Sequence, residues 1–185
     1  MVIIFLHELS HLIIAKLCKC KVNVYSIGLG RKLIGKQIGN TYYQLGIIPF
    51  GGKCDLKGEL DYTTDKDAFI NLKYRYKLAI TLAGCLANIL TGIVGLIIGN
   101  IFYIFPLLIF GILSIVLGLT NLIPILPLDG SYAIYYPIII NTFGKEKGAE
   151  ILKVIVNLSL KIMIILNIIS LPLIVLGFIF KCFIV

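Results

Sequence analysis

Residues 78–128 read LAITLAGCLANILTGIVGLIIGNIFYIFPLLIFGILSIVLGLTNLIPILPL and contain no Asp, Glu, Lys or Arg. A stretch of this length has room for two helical spans of about 20 residues each, and Pro106 marks the turn between them. Over the whole chain the mean hydropathy is +1.01 and only 14% of residues are charged. A soluble domain of 185 residues does not need this much apolar surface. The sequence therefore predicts an α-helical integral membrane protein.

The basic residues are concentrated in two regions. Twelve of the 17 lie between Lys16 and Lys77, and four more lie between Lys145 and Lys161. In a soluble protein a net charge of +8 would suggest nucleic acid as a partner. In a membrane protein it is a topology signal, and the positive-inside rule predicts that both regions face the cytoplasm. We therefore expect a multi-pass protein of the cell membrane whose partners include the lipid bilayer but no nucleic acid.

The apolar and polar stretches divide one domain, residues 1–185, into five parts. About four transmembrane segments are expected, with a small membrane-associated β-sheet after the first helix. The parts are a helix with both histidines at 1–20, a β segment at 22–60, a surface helix at 61–77, two spans and a proline-broken segment at 78–131, and C-terminal helices at 132–185.

The surface helix is predicted from its end signals. Thr64 is a suitable N-cap, Asp65 and Asp67 would lie in the first turn, and Lys73 to Lys77 would supply basic side chains to the last turn. We therefore expect an amphipathic helix at the membrane surface.

The two histidines of the chain both fall in His7-Glu8-Leu9-Ser10-His11, inside an apolar run. Residues four apart on a helix share one face, so both imidazoles can reach one Zn²⁺ while Glu8 points at a water on the metal. The alternative is a pair of core histidines beside a glutamate that extends toward the interface. A charge in hydrocarbon is costly and usually functional, which favours the metal site.

A catalytic zinc site uses three protein ligands and leaves a fourth position for water. Apart from Glu8, the only acid in apolar surroundings is Asp129. Pro124 and Pro127 precede it and predict a broken helix, which membranes tolerate where it is buried in protein or lines a watery cavity. Asp129 is thus the candidate third ligand, and the alternative is a plain cytoplasmic turn at Asp129-Gly130.

Together these motifs resemble the site-2 protease family of intramembrane zinc metalloproteases. The family pairs an HExxH helix with an N-x-x-P-x-x-P-L-D-G segment, matched here by residues 7–11 and 121–130. Residues 48–52 resemble its membrane-dipping β segment, and residues 83–88 resemble its A-G-P-x-x-N signature. This chain departs from the pattern at Cys85, which replaces proline, and at Ser131, which replaces the second glycine after the aspartate.

The resemblance implies a zinc-dependent intramembrane endopeptidase with one Zn²⁺ per chain. His7, His11 and Asp129 would be the metal ligands and Glu8 the general base, in a site open to the cytoplasmic side. The substrates would be membrane-tethered or membrane-associated proteins, with other membrane proteins as regulators. The small size resembles the branch that includes stage IV sporulation protein FB, which implies activation of a pro-sigma or other transcription factor in sporulation.

Four further residues are candidates for contact with the substrate. Asn88 and Asn121 are amides in apolar surroundings that could donate to the substrate backbone or the oxyanion, and the alternative is interhelical hydrogen bonding. Gly51 and Gly52 lie at the end of residues 41–52, a β-type stretch that could hold an unwound substrate by strand addition.

Two other functions compete with proteolysis. One is a related protein that binds membrane segments without cutting them. The other is a non-proteolytic metal-binding membrane protein, such as an iron site of two histidines and one carboxylate. Glu8 argues against the iron site, since such a triad does not need that base.

Overall fold

The computed structural model describes the backbone of residues 1–184 and the side chains within that range other than those of residues 49, 50, 163 and 166–184. Five helices and two long strands follow one another, with one short 3₁₀ helix between the strands and the second helix. Their bounds are α1 Val2–Leu17, β1 Val22–Ile38, β2 Thr41–Leu56, the 3₁₀ turn Phe69–Asn71, α2 Tyr74–Ile101, α3 Phe105–Asn121, α4 Asp129–Phe143 and α5 Lys145–Ile184.

The apolar stretch forms the hairpin of α2 and α3. With 28 residues, α2 is about 42 Å long and can cross a hydrocarbon core of about 30 Å. It is the one helix in the described part of the chain that is long and apolar enough to span a membrane, while α3 is apolar but has 17 residues. Pro106 lies in the first turn of α3, where its missing N–H needs no partner. The expected total of four spans stays a prediction.

Glycines allow α2 and α3 to pack closely. A Cβ added to Gly92 would lie 2.8 Å from the carbonyl oxygen of Gly111, and one added to Gly111 would lie 2.8 Å from the oxygen of Gly92. Small residues at such a contact are typical of helices that associate in a membrane. Elsewhere α2 exposes large apolar side chains such as Ile93, Val94 and Ile97. The hairpin therefore has a tight internal contact and an apolar outer surface.

The predicted β-sheet after the first helix is confirmed. β1 and β2 pair antiparallel, and the first half of β1 lies between two parts of β2, because Tyr25 is opposite both Cys54 and Tyr43. Tyr43 is also opposite Lys36, so the start of β2 has a neighbour on both sides. Residues 52–56 pair only with the first half of β1. This part of β2 is therefore a sheet edge.

The predicted surface helix at 61–77 is wrong. Residues 61–73 form turns and irregular backbone apart from the short 3₁₀ helix, and α2 already begins at Tyr74. The acids that would have started the helix instead bind Lys57, whose Nζ lies 2.8 Å from both Asp65 and Asp67. The Asn71 amide donates to the backbone oxygens of Thr63 and Asp65. These side-chain contacts compete with the helical hydrogen bonds.

The described core lies where α1, the sheet, α2, α4 and the start of α5 meet. Its most buried large members include Phe69, Ile80 and Tyr136. The Phe69 and Tyr136 rings pack edge to face with centroids 5.2 Å apart. Because α1 and α4 both pack on α2 around this core, the N-terminal histidines and the start of α4 are held near the same stretch of α2.

The helical structure is interrupted between α3 and α4, as Pro124 and Pro127 predicted. Residues 122–128 are non-helical, and α4 begins at Asp129. A Cβ on Gly130 would overlap the carbonyl oxygen of Leu122, so only glycine lets the two backbone segments approach this closely. Asp129 therefore lies in the first turn of α4, where the helix dipole favours a carboxylate.

Candidate metal centre

Helix α1 places His7 and His11 one turn apart on its buried face. His7 is only 7% exposed and His11 only 8%. Their ring centroids are 4.9 Å apart, and their Nε2 atoms are 3.3 Å apart. Two imidazoles held this close, each with a nitrogen facing the other, form half of a metal site.

Asp129 completes the group from the first turn of α4. Its Oδ2 atom lies 3.0 Å from Nε2 of His7 and 3.3 Å from Nε2 of His11. The structure thus brings together three donor atoms that come from positions 7, 11 and 129 of the chain. This is the set of side chains that the sequence predicted as ligands.

The spacing of the three donor atoms fits Zn²⁺. Bonds of about 2.0–2.2 Å at tetrahedral angles separate neighbouring ligand atoms by about 3.3–3.6 Å. The observed separations of 3.0, 3.3 and 3.3 Å are close to that range. Two imidazole nitrogens and one carboxylate oxygen are also a donor set that catalytic zinc uses. The residues present therefore fit the metal that the resemblance implies.

The His11 ring is oriented by a backbone contact from α2. Its Nδ1 lies 2.7 Å from the carbonyl oxygen of Ile80, which can only accept, so this nitrogen carries the proton. Nε2 then has a free lone pair directed at Asp129 and at a metal bound beside it. A metal-bound histidine usually donates the N–H of its other ring nitrogen to an acceptor in this way, which fixes the orientation of the ring.

The His7 ring contacts Asn88, a fully buried residue of α2. The Asn88 amide nitrogen lies 3.1 Å from His7 Nδ1, while its Oδ1 has no hydrogen-bond partner among the described residues. Turning the amide by 180° exchanges the two atoms, and Oδ1 then accepts the proton of Nδ1. That arrangement leaves Nε2 of His7 free to bind a metal. The structure places Asn88 against the candidate ligand His7, a contact that neither of the two roles predicted for Asn88 included.

Gly84 allows α2 to lie directly against both imidazoles. A Cβ at this position would lie 2.5 Å from Cε1 and 2.7 Å from Nδ1 of His7, and it would overlap Nε2 of His11. No side chain other than glycine's hydrogen fits there without moving the rings. Gly84 lies within residues 83–88, but the sequence did not predict this role. A glycine inside an apolar helix was the available signal.

The side chains of His7, His11 and Asp129 together are called the metal group below. Glu8 lies beside this group and packs on the sheet. A Cβ on Gly52 would lie 2.6 Å from Glu8 Cγ, so the glycine makes room for the glutamate. The backbone N–H of Cys54 faces the Glu8 carboxylate. β2 therefore positions Glu8 next to the histidines that precede and follow it on α1.

A cavity of about 580 Å³ connects this group with the polar loops. Glu8, His11 and Asp129 line it, together with Glu59, Asp61 and Lys153. Lys153 Nζ and Asp61 Oδ1 form an ion pair of 2.6 Å there. Burial, and after it the nearby Asp55 carboxylate, raise the pKa of the Glu59 carboxyl to about 7. The cavity beside the candidate ligands is thus also lined by charged side chains.

Of the four residues predicted to contact the substrate, the cavity lining includes Gly52. Asn88 lies behind His7, and Gly51 has a left-handed φ of 86° with its Cα next to Leu29. Asn121 ends α3, and within the described range its side chain has no hydrogen bond to the metal group. The structure therefore brings Gly52 and Asn88 to the site but not Gly51 or Asn121.

Comparison with known proteins agrees with this geometry. The profile of Peptidase family M50 matches residues 1–106, which is more than half of the chain. The chain belongs to Peptidase family M50. The family membership expected from the motifs is thus confirmed.

Two curated relatives are named "Putative zinc metalloprotease" and "Putative zinc metalloprotease Cj1068". The Borreliella burgdorferi protein is 41% identical over 98 residues, which are 48% of this chain and 23% of that protein. The Campylobacter jejuni protein is 39% identical over 105 residues, 54% of this chain and 28% of that protein. The chain therefore aligns with about a quarter of the length of these relatives.

A solved structure also resembles the whole fold. The site-2 protease from Methanocaldococcus jannaschii superposes with a TM-score of 0.53 at 25% identity, covering 94% of this chain and 67% of that one. The match covers more of the chain than residues 1–106.

Proposed function

We propose that this M50 family member is an intramembrane zinc endopeptidase, with His7, His11 and Asp129 as ligands of one zinc ion. The observation that carries the proposal is the convergence of three candidate ligand atoms, and two of their residues, His11 and Asp129, line one cavity together with Glu8. A zinc ion bound there supplies an activated water and polarises the scissile carbonyl. The relatives named as zinc metalloproteases support the same metal.

Glu8 is the general base in this proposal. Its carboxylate takes one proton from the attacking water, whose oxygen forms a bond to the carbonyl carbon of the substrate. The C–N bond then breaks, and Glu8 returns the proton to the leaving nitrogen. The products are a carboxylic acid and an amine, so atoms and charges balance. Glu8 packs over Gly52 and lines the cavity, from which the water would reach it.

An unwound substrate would pair with the free edge of β2. A helical substrate hides its carbonyls in internal hydrogen bonds and must become extended before attack. Residues 42–45 have strand neighbours on both sides, so strand addition there, within the predicted stretch 41–52, is ruled out by the pairing. Residues 52–56 pair on one side only and line the cavity next to Glu8. Strand addition along 52–56 presents the scissile bond to the metal group.

The proposed setting is a multi-pass protein of the cell membrane with its site open to the cytoplasm. The long apolar helix α2 and the apolar outer surface of the α2–α3 hairpin support a membrane location. The basic residues of the two flanking regions support the orientation. Membrane-associated proteins are the proposed substrates. Processing of a pro-sigma or other transcription factor in sporulation, as in the branch of stage IV sporulation protein FB, stays a prediction.

Glu8→Gln tests the proposed function. The variant should lose cleavage by at least about 100-fold, because the general base is gone. It should still bind zinc, since all three ligands remain. Wild type and variant are co-expressed with candidate membrane-tethered transcription or sigma factors, and cleavage and zinc content are measured on the same samples. Undiminished cleavage by the variant would exclude Glu8 as the base, and zinc-independent cleavage would exclude the metalloprotease.

A further inference from the structure

Helix α2 contacts each of the three proposed zinc ligands with a different group. The Ile80 carbonyl meets His11, and the Asn88 amide meets His7. The third contact comes from Cys85, whose Sγ lies 3.7 Å from Oδ2 of Asp129. Cys85 is fully buried, with an exposed fraction of 0%. The side of α2 that faces the metal group thus supports every ligand.

Cys85 contacts the Asp129 oxygen that faces the two histidines. Oδ2 is the atom that faces both imidazole nitrogens, and it is also the atom that the Cys85 thiol meets. Within the described residues, the thiol is the one hydrogen-bond donor to the Asp129 carboxylate, whose other close neighbours are the Nε2 atoms of the two imidazoles. A carboxylate can turn about its side-chain bonds, so a buried donor on one oxygen restricts which oxygen points at the histidines.

The thiol acts through Asp129 and is not a fourth ligand. The three donor atoms of His7, His11 and Asp129 all lie within 4.8 Å of one another, and Cys85 is not part of that group. We propose that Cys85 is a positioning residue, whose thiol donates to Oδ2 of Asp129 and holds the carboxylate toward the two histidines. The proposal rests on the metal role assigned to Asp129 above.

The size of the effect follows from the chemistry of the contact. Loss of an outer contact to a metal ligand lowers metal affinity by about 10- to 100-fold. A thiol is a weak hydrogen-bond donor, so the lower end of this range applies here. Cys85→Ala should therefore weaken zinc binding by about tenfold. Cys85→Ser should lie closer to wild type, since a hydroxyl is a stronger donor although it reaches less far.

The experiment measures zinc affinity by chelator competition on the detergent-solubilised full chain. Cys20→Ala is the matched control, because Cys20 is also buried, at 4% exposed, but packs in the core away from the metal group. Thermal unfolding of each variant reports whether it is folded. Cobalt substitution provides a second measurement, since a cysteine ligand would add a thiolate-to-cobalt charge-transfer band.

The proposal predicts weaker zinc binding for Cys85→Ala, partial or full recovery for Cys85→Ser, wild-type affinity for Cys20→Ala, and no thiolate band in the cobalt protein. Equal affinity of Cys85→Ala and wild type would overturn it, as would equal loss in the Ala and Ser variants. A thiolate band that disappears in Cys85→Ala would make Cys85 a ligand instead. Failure of the wild type to bind zinc would overturn the proposed function itself, which separates the two results.

Discussion

Gly84 shows how much of the site depends on single residues of α2. The glycine lies against both imidazoles, and any side chain there would occupy the space of the rings. His7, Glu8, His11 and Asp129 carry the proposed chemistry, but Gly84 determines how closely the helix that orients them can approach. The same reasoning applies to Gly52 beside Glu8.

We expect Gly84→Ala to weaken zinc binding by more than about tenfold, because the added methyl group displaces the ligand rings. Zinc affinity of the purified protein is the measurement. Gly95→Ala is the control on the same helix, since its Cβ would first meet the Phe110 ring at 3.1 Å, far from the ligands. Equal zinc affinity of the Gly84→Ala and Gly95→Ala proteins would contradict the described contact between Gly84 and the histidines.

The side chains that converge in the candidate metal group could be predicted from the sequence, and those that contact them from α2 could not. His7 and His11 share a helical face by spacing alone, and Asp129 was the remaining acid in apolar surroundings. Gly84 and Cys85 have their roles only because α2 packs on α1 and α4. That packing joins positions far apart in the chain, and local patterns do not specify it.

At the scale of elements, β2 has two different parts. Its first part is enclosed between strand segments, and its second part, residues 52–56, has a free edge along the cavity. β-type residues and glycines predicted strands here, but the sequence does not show that the first part of β2 pairs with both halves of β1. The wrong prediction of a helix at 61–77 has a similar cause. Its capping signals were present, but contacts of Lys57 and Asn71 hold the segment as turns.

Gly52→Ala tests the role of the strand edge. The new methyl group would lie 2.6 Å from Glu8 Cγ in the present arrangement, so Glu8 must move. We expect cleavage to fall by about tenfold or more while zinc stays bound, because a small misplacement of a catalytic group is costly for the reaction and the ligands are untouched. Cleavage and zinc content are measured in parallel. Loss of zinc together with activity would show that Gly52 supports the ligands rather than the base.

At the scale of the whole molecule, the sheet and the turn between α2 and α3 should lie on opposite sides of the membrane. Arg31 is an exposed residue of β1, and Tyr103 is 91% exposed in the turn after α2. With a length of about 42 Å, α2 is long enough to separate the two across a bilayer. The cavity that leads to the metal group would then open on the side of the basic regions.

Cysteine labelling from each side of the membrane tests this arrangement, with Arg31→Cys and Tyr103→Cys introduced separately into a chain without its native cysteines. The probe at position 31 should react only from the cytoplasmic side and the probe at position 103 only from the outer side. Each variant serves as the control for the other. Labelling of position 31 from outside would reverse the orientation and exclude cytosolic access to the substrate.

The zinc content of Asp129→Ala tests the central claim most directly. Because the site would keep only two protein ligands, we expect the folded variant to lose zinc, while wild type retains about one zinc ion per chain. Asp129→Asn should bind more weakly than wild type, since a neutral amide oxygen is a poorer ligand for a divalent cation. Zinc is measured by elemental analysis on protein whose fold is checked by thermal unfolding. About one zinc ion per chain in folded Asp129→Ala would contradict the assignment of Asp129 as the third ligand.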